Sequence, residues 1–101
     1  MIETLTALAD PVRLRMVELL AGGERSAGEI ERALDIPQPA ASKHLKSLRL
    51  VGLVAVRKDA QRRLYRLQPE PLAALDAWLA LYRPFWSGRL DALERHLDQE
   101  C

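Results

Sequence analysis

Residues 38–54 read QPAASKHLKSLRLVGLV. Ala41, Leu45 and Leu48 recur at helical spacing and mark a buried stripe. Pro39, after Gln38, suits a first helical turn. Gly52 is placed for a left-handed cap, and Leu53 for the apolar contact that accompanies such a cap. The stretch therefore predicts a helix, a stop and the start of a strand. Its remaining surface carries Lys43, Lys46 and Arg49 and no acid. Most surface helices mix signs, because opposite charges one turn apart support each other. A helix with only positive charge repels itself unless something negative docks there.

The surrounding charge points the same way. The chain has 101 residues and a net charge of +1. Residues 36–67 hold eight basic side chains against Asp59 alone, a local +7. Residues 1–35 hold four basic against seven acidic, and residues 68–101 three against six, so each flank is −3. A basic island between acidic flanks predicts a polyanion partner for one face, most simply nucleic acid.

Working outward toward the N-terminus, Ile2, Leu5, Leu8 and Ala9 fall on one side of a short helix. Asp10-Pro11 breaks and restarts the chain, with Asp10 as cap and Pro11 in the first turn. Val12, Leu14, Met16, Val17, Leu19 and Leu20 make the next helix apolar nearly all round, which predicts a central position. Gly22-Gly23 ends it. Ser26 and Glu29 have capping-box spacing and open a third helix, with Ile30, Ala33 and Leu34 facing inward. LDIP then turns into the basic helix.

Toward the C-terminus, LVAVR (53–57) and RRLYRL (62–67) read as two strands. The KDAQ tip between them lacks the glycine of a tight primed turn, which points to a longer or mobile loop. Leu72, Leu75, Leu79 and Tyr82 then recur at helical spacing. Pro84 interrupts, and Trp86, Leu90, Leu93 and Leu97 continue the pattern.

Two helices joined by a tight turn, the second basic, make a helix-turn-helix. A basic hairpin straight after makes it winged. The expected fold is mainly α, with five to six helices and one two-stranded β-hairpin wing. Such a second helix fits the major groove of double-stranded DNA and presents its N-terminal residues to base edges. Gln38 and Ser42 stand near that start, and Lys43 and Lys46 project from the outer face.

ALADPVRLRMVELL (7–20), GEI (28–30), the run from Pro39 to Val54 and RLYRL (63–67) resemble the ArsR/SmtB family of winged-helix bacterial repressors, over residues 3–67. The resemblance implies a homodimer that binds an imperfect palindrome and represses its own operon. It places Gln38, Pro39, Ser42 and Lys43 at bases and nearby phosphates, and Arg57, Arg62 and Arg63 on the wing. Lys46 and Lys58 add phosphate affinity.

The family's best-known sensors use paired cysteines near the third helix, or Asp/His/Glu sets on the C-terminal helices. Residues 26–36 contain neither Cys nor His. His96 with Asp91, Glu94, Asp98 and Glu100 is one imidazole among acids, too little for zinc within one chain. The tail resembles the family's metal-independent branch, so no metal and no cofactor are expected, and the effector is left open. A metal-responsive repressor with a C-terminal site is the alternative within the family. A winged-helix module that binds only protein is the alternative outside it.

The whole of residues 1–101 reads as one domain, with 1–9 and 70–99 as dimerisation helices. The expected interface is Leu5, Leu75, Trp78, Leu79, Tyr82, Trp86, Leu90, Leu93 and Leu97, since aromatic anchors concentrate at obligate interfaces. His44 borders the buried stripe and reads as a packed, hydrogen-bonded histidine. Arg13 and Arg15 fit either phosphate contact or a solvated face. Cys101 reads as an inert terminal thiol, and a single cysteine builds no disulfide framework. The longest apolar run, LVGLVAV, is too short to span a bilayer, and the N-terminus lacks a secretory pattern. A cytoplasmic protein is expected. No phosphate loop, nucleophile elbow or catalytic carboxylate pair supports an enzyme.

Overall fold

The computed structural model describes the backbone of residues 1–100, and the side chains of all but 90–92 and 98–100. Cys101 and the side chains of Leu90, Asp91, Asp98 and Glu100 lie outside the described residues. Among the described residues the elements are α1 (Ile2–Leu8), α2 (Pro11–Leu20), β1 (Arg25–Ser26), α3 (Ala27–Leu34), α4 (Gln38–Leu50), β2 (Val54–Asp59), β3 (Arg62–Leu67), α5 (Glu70–Ala80), a 3-10 turn (Arg83–Phe85) and α6 (Ser87–Glu100). This is a winged helix-turn-helix: α3 and α4 form the motif, and β2–β3 the wing.

The local signals form their elements. Asp10 accepts the amides of Val12 and Arg13 at 2.9 and 3.0 Å, and Pro11 opens α2. These bonds satisfy first-turn donors that a helix leaves open. Ser26 and Glu29 close a full capping box on α3. At the end of α4, Gly52 takes φ 79°, and Leu53 N–H reaches back to the Leu48 carbonyl at 3.0 Å. Leu53 itself is fully buried.

The core gathers around α2, which packs on α1, α3, α4 and β3. Met16, Ile30, Leu45, Leu48 and Leu53 are its largest fully buried side chains. The stripe Ala41, Leu45 and Leu48 holds α4 to this core, so its opposite face must stand in solvent.

Several expectations are corrected. The sheet has three strands in the order β1-β3-β2, not two. β1 is only two residues, Arg25 opposite Tyr65 and Ser26 opposite Leu64, and covers the edge of β3 that the hairpin leaves open. The wing tip is tight: Asp59 still pairs with Arg62, and the turn is Ala60-Gln61. Ala60 supplies the left-handed residue at φ 57° where glycine is usual. Ala33 is exposed, because α3 is held by Ile30 and Leu34, with Ala27 packed beside them. In α1 the positions buried within the chain are Thr4 and Ala7, and the side formed by Ile2 and Leu5 is exposed, as the expected dimer contact of Leu5 requires. Leu14 of α2 is exposed as well.

Candidate nucleic-acid interface

The face of α4 turned from the core presents Gln38, Pro39, Ser42, Lys43, Lys46 and Arg49, all exposed. Gln38 Nε2 donates to Ser42 Oγ at 3.1 Å, which sets the two polar groups at the helix start side by side. Ser42, Lys46 and Arg49 continue down one stripe. The sequence-based site included Lys46 but not Arg49. The spacing of Arg49, one turn beyond Lys46, carried the signal for it.

The wing register sorts the remaining cations. Val56 faces Tyr65 and Lys58 faces Arg63, while Arg57 faces Leu64 and Asp59 faces Arg62. Side chains alternate between faces along a strand, so Lys58 and Arg63 share the face of Val56 and Tyr65. That face looks onto α4. A cleft of about 540 Å³ separates the two, with Ser42, Lys46 and Arg49 on one wall and Val56, Arg63 and Tyr65 on the other. A smaller one beside it is lined by Arg49, Val56, Arg57, Lys58 and Arg63. Lys46, Arg49, Lys58 and Arg63 thus converge with no carboxylate lining either cleft.

Arg57, Arg62 and Arg66 fall on the other face of the hairpin, where acids meet them. Arg57 Nε and Nη2 donate to Glu24 at 2.9 and 2.8 Å. This hydrogen-bonded pair holds the Glu24 carboxyl below its ordinary range and pushes the Arg57 guanidinium up. Arg62 lies 3.7 Å from Asp59. The nine expected DNA-contact residues are therefore not one patch. Seven lie on the α4 face and its cleft; Arg57 borders the smaller cleft but gives its guanidinium to Glu24, and Arg62 is turned toward Asp59.

Two further residues have structural neighbours that sequence reasoning missed. Arg13 Nε donates to the Ala7 carbonyl at 2.7 Å and Nη2 to Thr6 at 3.4 Å, so it closes the end of α1. His44 is packed but not hydrogen-bonded: Nδ1 is buried without a partner, 4.0 Å from Asp10 Oδ1.

The C-terminal arm exposes Trp78, Leu79, Tyr82, Phe85, Leu93 and Leu97, and Leu5 is exposed on α1. Trp78 and Tyr82 meet edge to face at 5.3 Å. Trp86 is half-buried beside them. Leu75, grouped with them by spacing, is 9% exposed and already covered within the chain. Leu50, at the end of α4, is 78% exposed and shares a shallow apolar groove with Ile2. Among the described residues, no cluster of three His, Cys, Asp or Glu side chains could hold a metal ion, and no helix is long and apolar enough to cross a membrane.

A basic helix seated beside a basic hairpin wing defines a DNA-binding protein of the winged helix-turn-helix class. Residues 8–57 match the family model described as a helix-turn-helix domain. The chain is 42% identical over 94 residues to the HTH-type transcriptional regulator Rv2034 of Mycobacterium tuberculosis, covering 93% of this chain and 85% of that one. It is 43% identical over 77 residues to the HTH-type transcriptional repressor SmtB of the same species, covering 74% of this chain but 57% of the repressor. The solution structure of the homodimeric winged helix-turn-helix DNA-binding domain Mb0332 from Mycobacterium bovis, a possible ArsR-family regulator, superposes with a TM-score of 0.67 at 32% identity, over 84% of this chain and 81% of that one. The chain belongs to the ArsR/SmtB family of winged helix-turn-helix transcriptional regulators, whose members bind DNA and are not enzymes.

Proposed function

We propose that the chain is a homodimeric repressor that reads a palindromic operator through α4 and grips the flanking backbone with its wing. The observation that carries this is the acid-free exposed face of α4, continuous across the cleft with Lys58 and Arg63. Gln38 and Ser42 are assigned to base edges, with Pro39 beside them. Lys43, Lys46, Arg49, Lys58 and Arg63 are assigned to phosphates. Arg62, at the exposed tip, is kept as a weaker phosphate contact.

The dimer is assigned to residues 1–9 and 70–99 of the single domain. Its support is the exposed apolar surface of the arm together with Leu5, and the homodimeric state of the Mycobacterium bovis relative. Two-fold symmetry then sets the recognition helices one DNA turn apart, roughly 34 Å. The repressor acts where the DNA is, in the cytoplasm. It works without a metal sensor, since residues 26–36 lack the thiols and imidazoles such a sensor uses.

The test is fluorescence anisotropy with DNA from upstream of its own gene against scrambled DNA, across a salt series, with and without chelator. Selective, steeply salt-dependent binding that ignores the chelator is expected. Release or recruitment by a metal would return the protein to the metal sensors. A lack of selectivity at every salt would favour a protein-binding module.

A further inference from the structure

The Glu24–Arg57 pair joins residues 33 apart in the chain, and it takes up the Arg57 guanidinium although Arg57 also borders the smaller cleft. Glu24 stands between the Gly22-Gly23 turn and β1. Arg57 lies on β2, and β3 runs between β1 and β2. The pair therefore spans the sheet from the body to the outer strand.

Its position along the strand matters. Going outward along β2, Val54 is buried and Ala55 and Val56 are half-buried, while Arg57, Lys58 and Asp59 are exposed. On β3, Leu64 and Tyr65 are buried and Arg62 and Arg63 are exposed. Arg57 thus sits where the packed root of the wing gives way to the free tip. Beyond it the tip is oriented by its own ladder and, on the β3 side, by Gln61, Arg62 and Arg63 lying across a cavity from the start of α3.

A bidentate Arg–carboxylate pair fixes both distance and plane, which a pair of point charges does not. The Glu24 side chain is 29% exposed, so this end of the pair is partly sheltered. A neutralised pair also releases few counterions when a phosphate approaches, and the carboxylate repels that phosphate.

We propose that Glu24 and Arg57 form a latch that sets the angle of the wing against α4, and that Arg57 is a positioning residue rather than a phosphate ligand. This rests on the reading above that the wing meets DNA. The latch holds Lys58 and Arg63 over the cleft facing Lys46 and Arg49. Its loss misplaces two cations without removing either.

The test uses Glu24→Gln, Arg57→Gln, Arg57→Lys and the Gln/Gln double variant of the full chain. Two readouts are needed: anisotropy on preferred and scrambled DNA across salt, and amide hydrogen exchange of residues 57–62 without DNA. Each single variant is expected to weaken preferred-site binding about fivefold, the scale of one well-made ion pair. The double variant should be no worse than the worse single. Arg57→Lys should behave like Arg57→Gln, because an ammonium cannot make the fork. Any fall in salt slope should be the same in Glu24→Gln, Arg57→Gln and Arg57→Lys, because each displaces the same two cations, and wing-tip amide protection should fall in every variant.

If Arg57→Gln lowers the salt slope by about one, Arg57→Lys keeps binding and Glu24→Gln strengthens it, Arg57 is a phosphate ligand and the latch is overturned. Unchanged affinity and unchanged amide protection overturn it too. If the wild type binds no DNA, the functional reading fails on its own. The exchange measurement then still decides whether the pair orders the wing.

Discussion

His44 of the recognition helix sets its Nδ1 4.0 Å from the Asp10 carboxylate, the same group that caps α2. One acid therefore serves the first turn of the central helix and faces the middle of α4. Arg13, also 3.9 Å from Asp10, ties the end of α1 into the same corner. The junction of α1, α2 and α4 is a single polar seam.

That seam should make stability depend on pH. The Arg13 backbone amide, more than any other group, holds the Asp10 carboxyl below its ordinary value, against partial desolvation. A depressed carboxyl stabilises the fold fully above its unfolded value, and this is lost as pH falls through the folded value. Asp10→Ala should therefore lower the melting temperature at pH 7, with the gap to wild type closing in strong acid. Thermal melts from neutral to acid pH measure this, and a gap that ignores pH would mean the capping charge is not what matters. Glu24 and Glu29 are depressed in the same direction, by Arg57 and by the Ser26 amide, so the wild type itself should weaken toward acid.

The division of the wing cations should appear in salt dependence. Arg63→Ala and Arg49→Ala should each reduce the salt slope by about 0.9, the value for one phosphate no longer neutralised. Both should weaken preferred and scrambled DNA alike. Arg62→Ala should do less, because Asp59 shares its charge. Equal slopes for all three variants would show that the wing lies differently on DNA.

Gln38 should govern sequence preference. Gln38→Ala should relax selection at a few base positions by about 1–3 kcal/mol each, and leave the salt slope alone. Its hydrogen bond to Ser42 makes the two act as a pair, so Ser42→Ala should disturb the same positions. Selection from a randomised DNA pool would reveal this. An unaltered preferred site would remove Gln38 from base readout.

The proposed dimer surface on the arm should respond to mutation differently from the core. Leu79→Glu or Tyr82→Glu should shift the protein to monomer in sedimentation, because both side chains are exposed in the single chain. Leu75→Ala should instead cost about 2 kcal/mol or more of stability, as truncating a buried leucine does. A dimer indifferent to both glutamates would place the interface elsewhere.

Ala60 is a local strain that can be removed. At φ 57° an alanine costs about 1 kcal/mol that glycine does not. Ala60→Gly should raise stability by up to that amount, and chemical denaturation would measure it. A destabilised variant would mean that the flexibility glycine adds to the unfolded chain outweighs the relief.

The sequence by itself determined the order of the helices and the hairpin, and the basic, acid-free face of α4. Its signals there are local: caps at Asp10 and Ser26, the stop at Gly52, the stripe Ala41–Leu45–Leu48 and the missing acids opposite it. Each acts within a turn or two of chain, so a linear pattern can carry it. Tertiary structure decided the rest. β1 is two residues long and exists only because β3 offers an open edge. Arg13 finds carbonyls on a different helix, and Arg57 finds Glu24 across a whole strand. Which wing cations meet α4 depends on strand register, and a shift of one residue would exchange the two faces. Such pairings are made between segments brought together by the packing of Met16, Ile30 and Leu48, and no run of neighbouring residues encodes them.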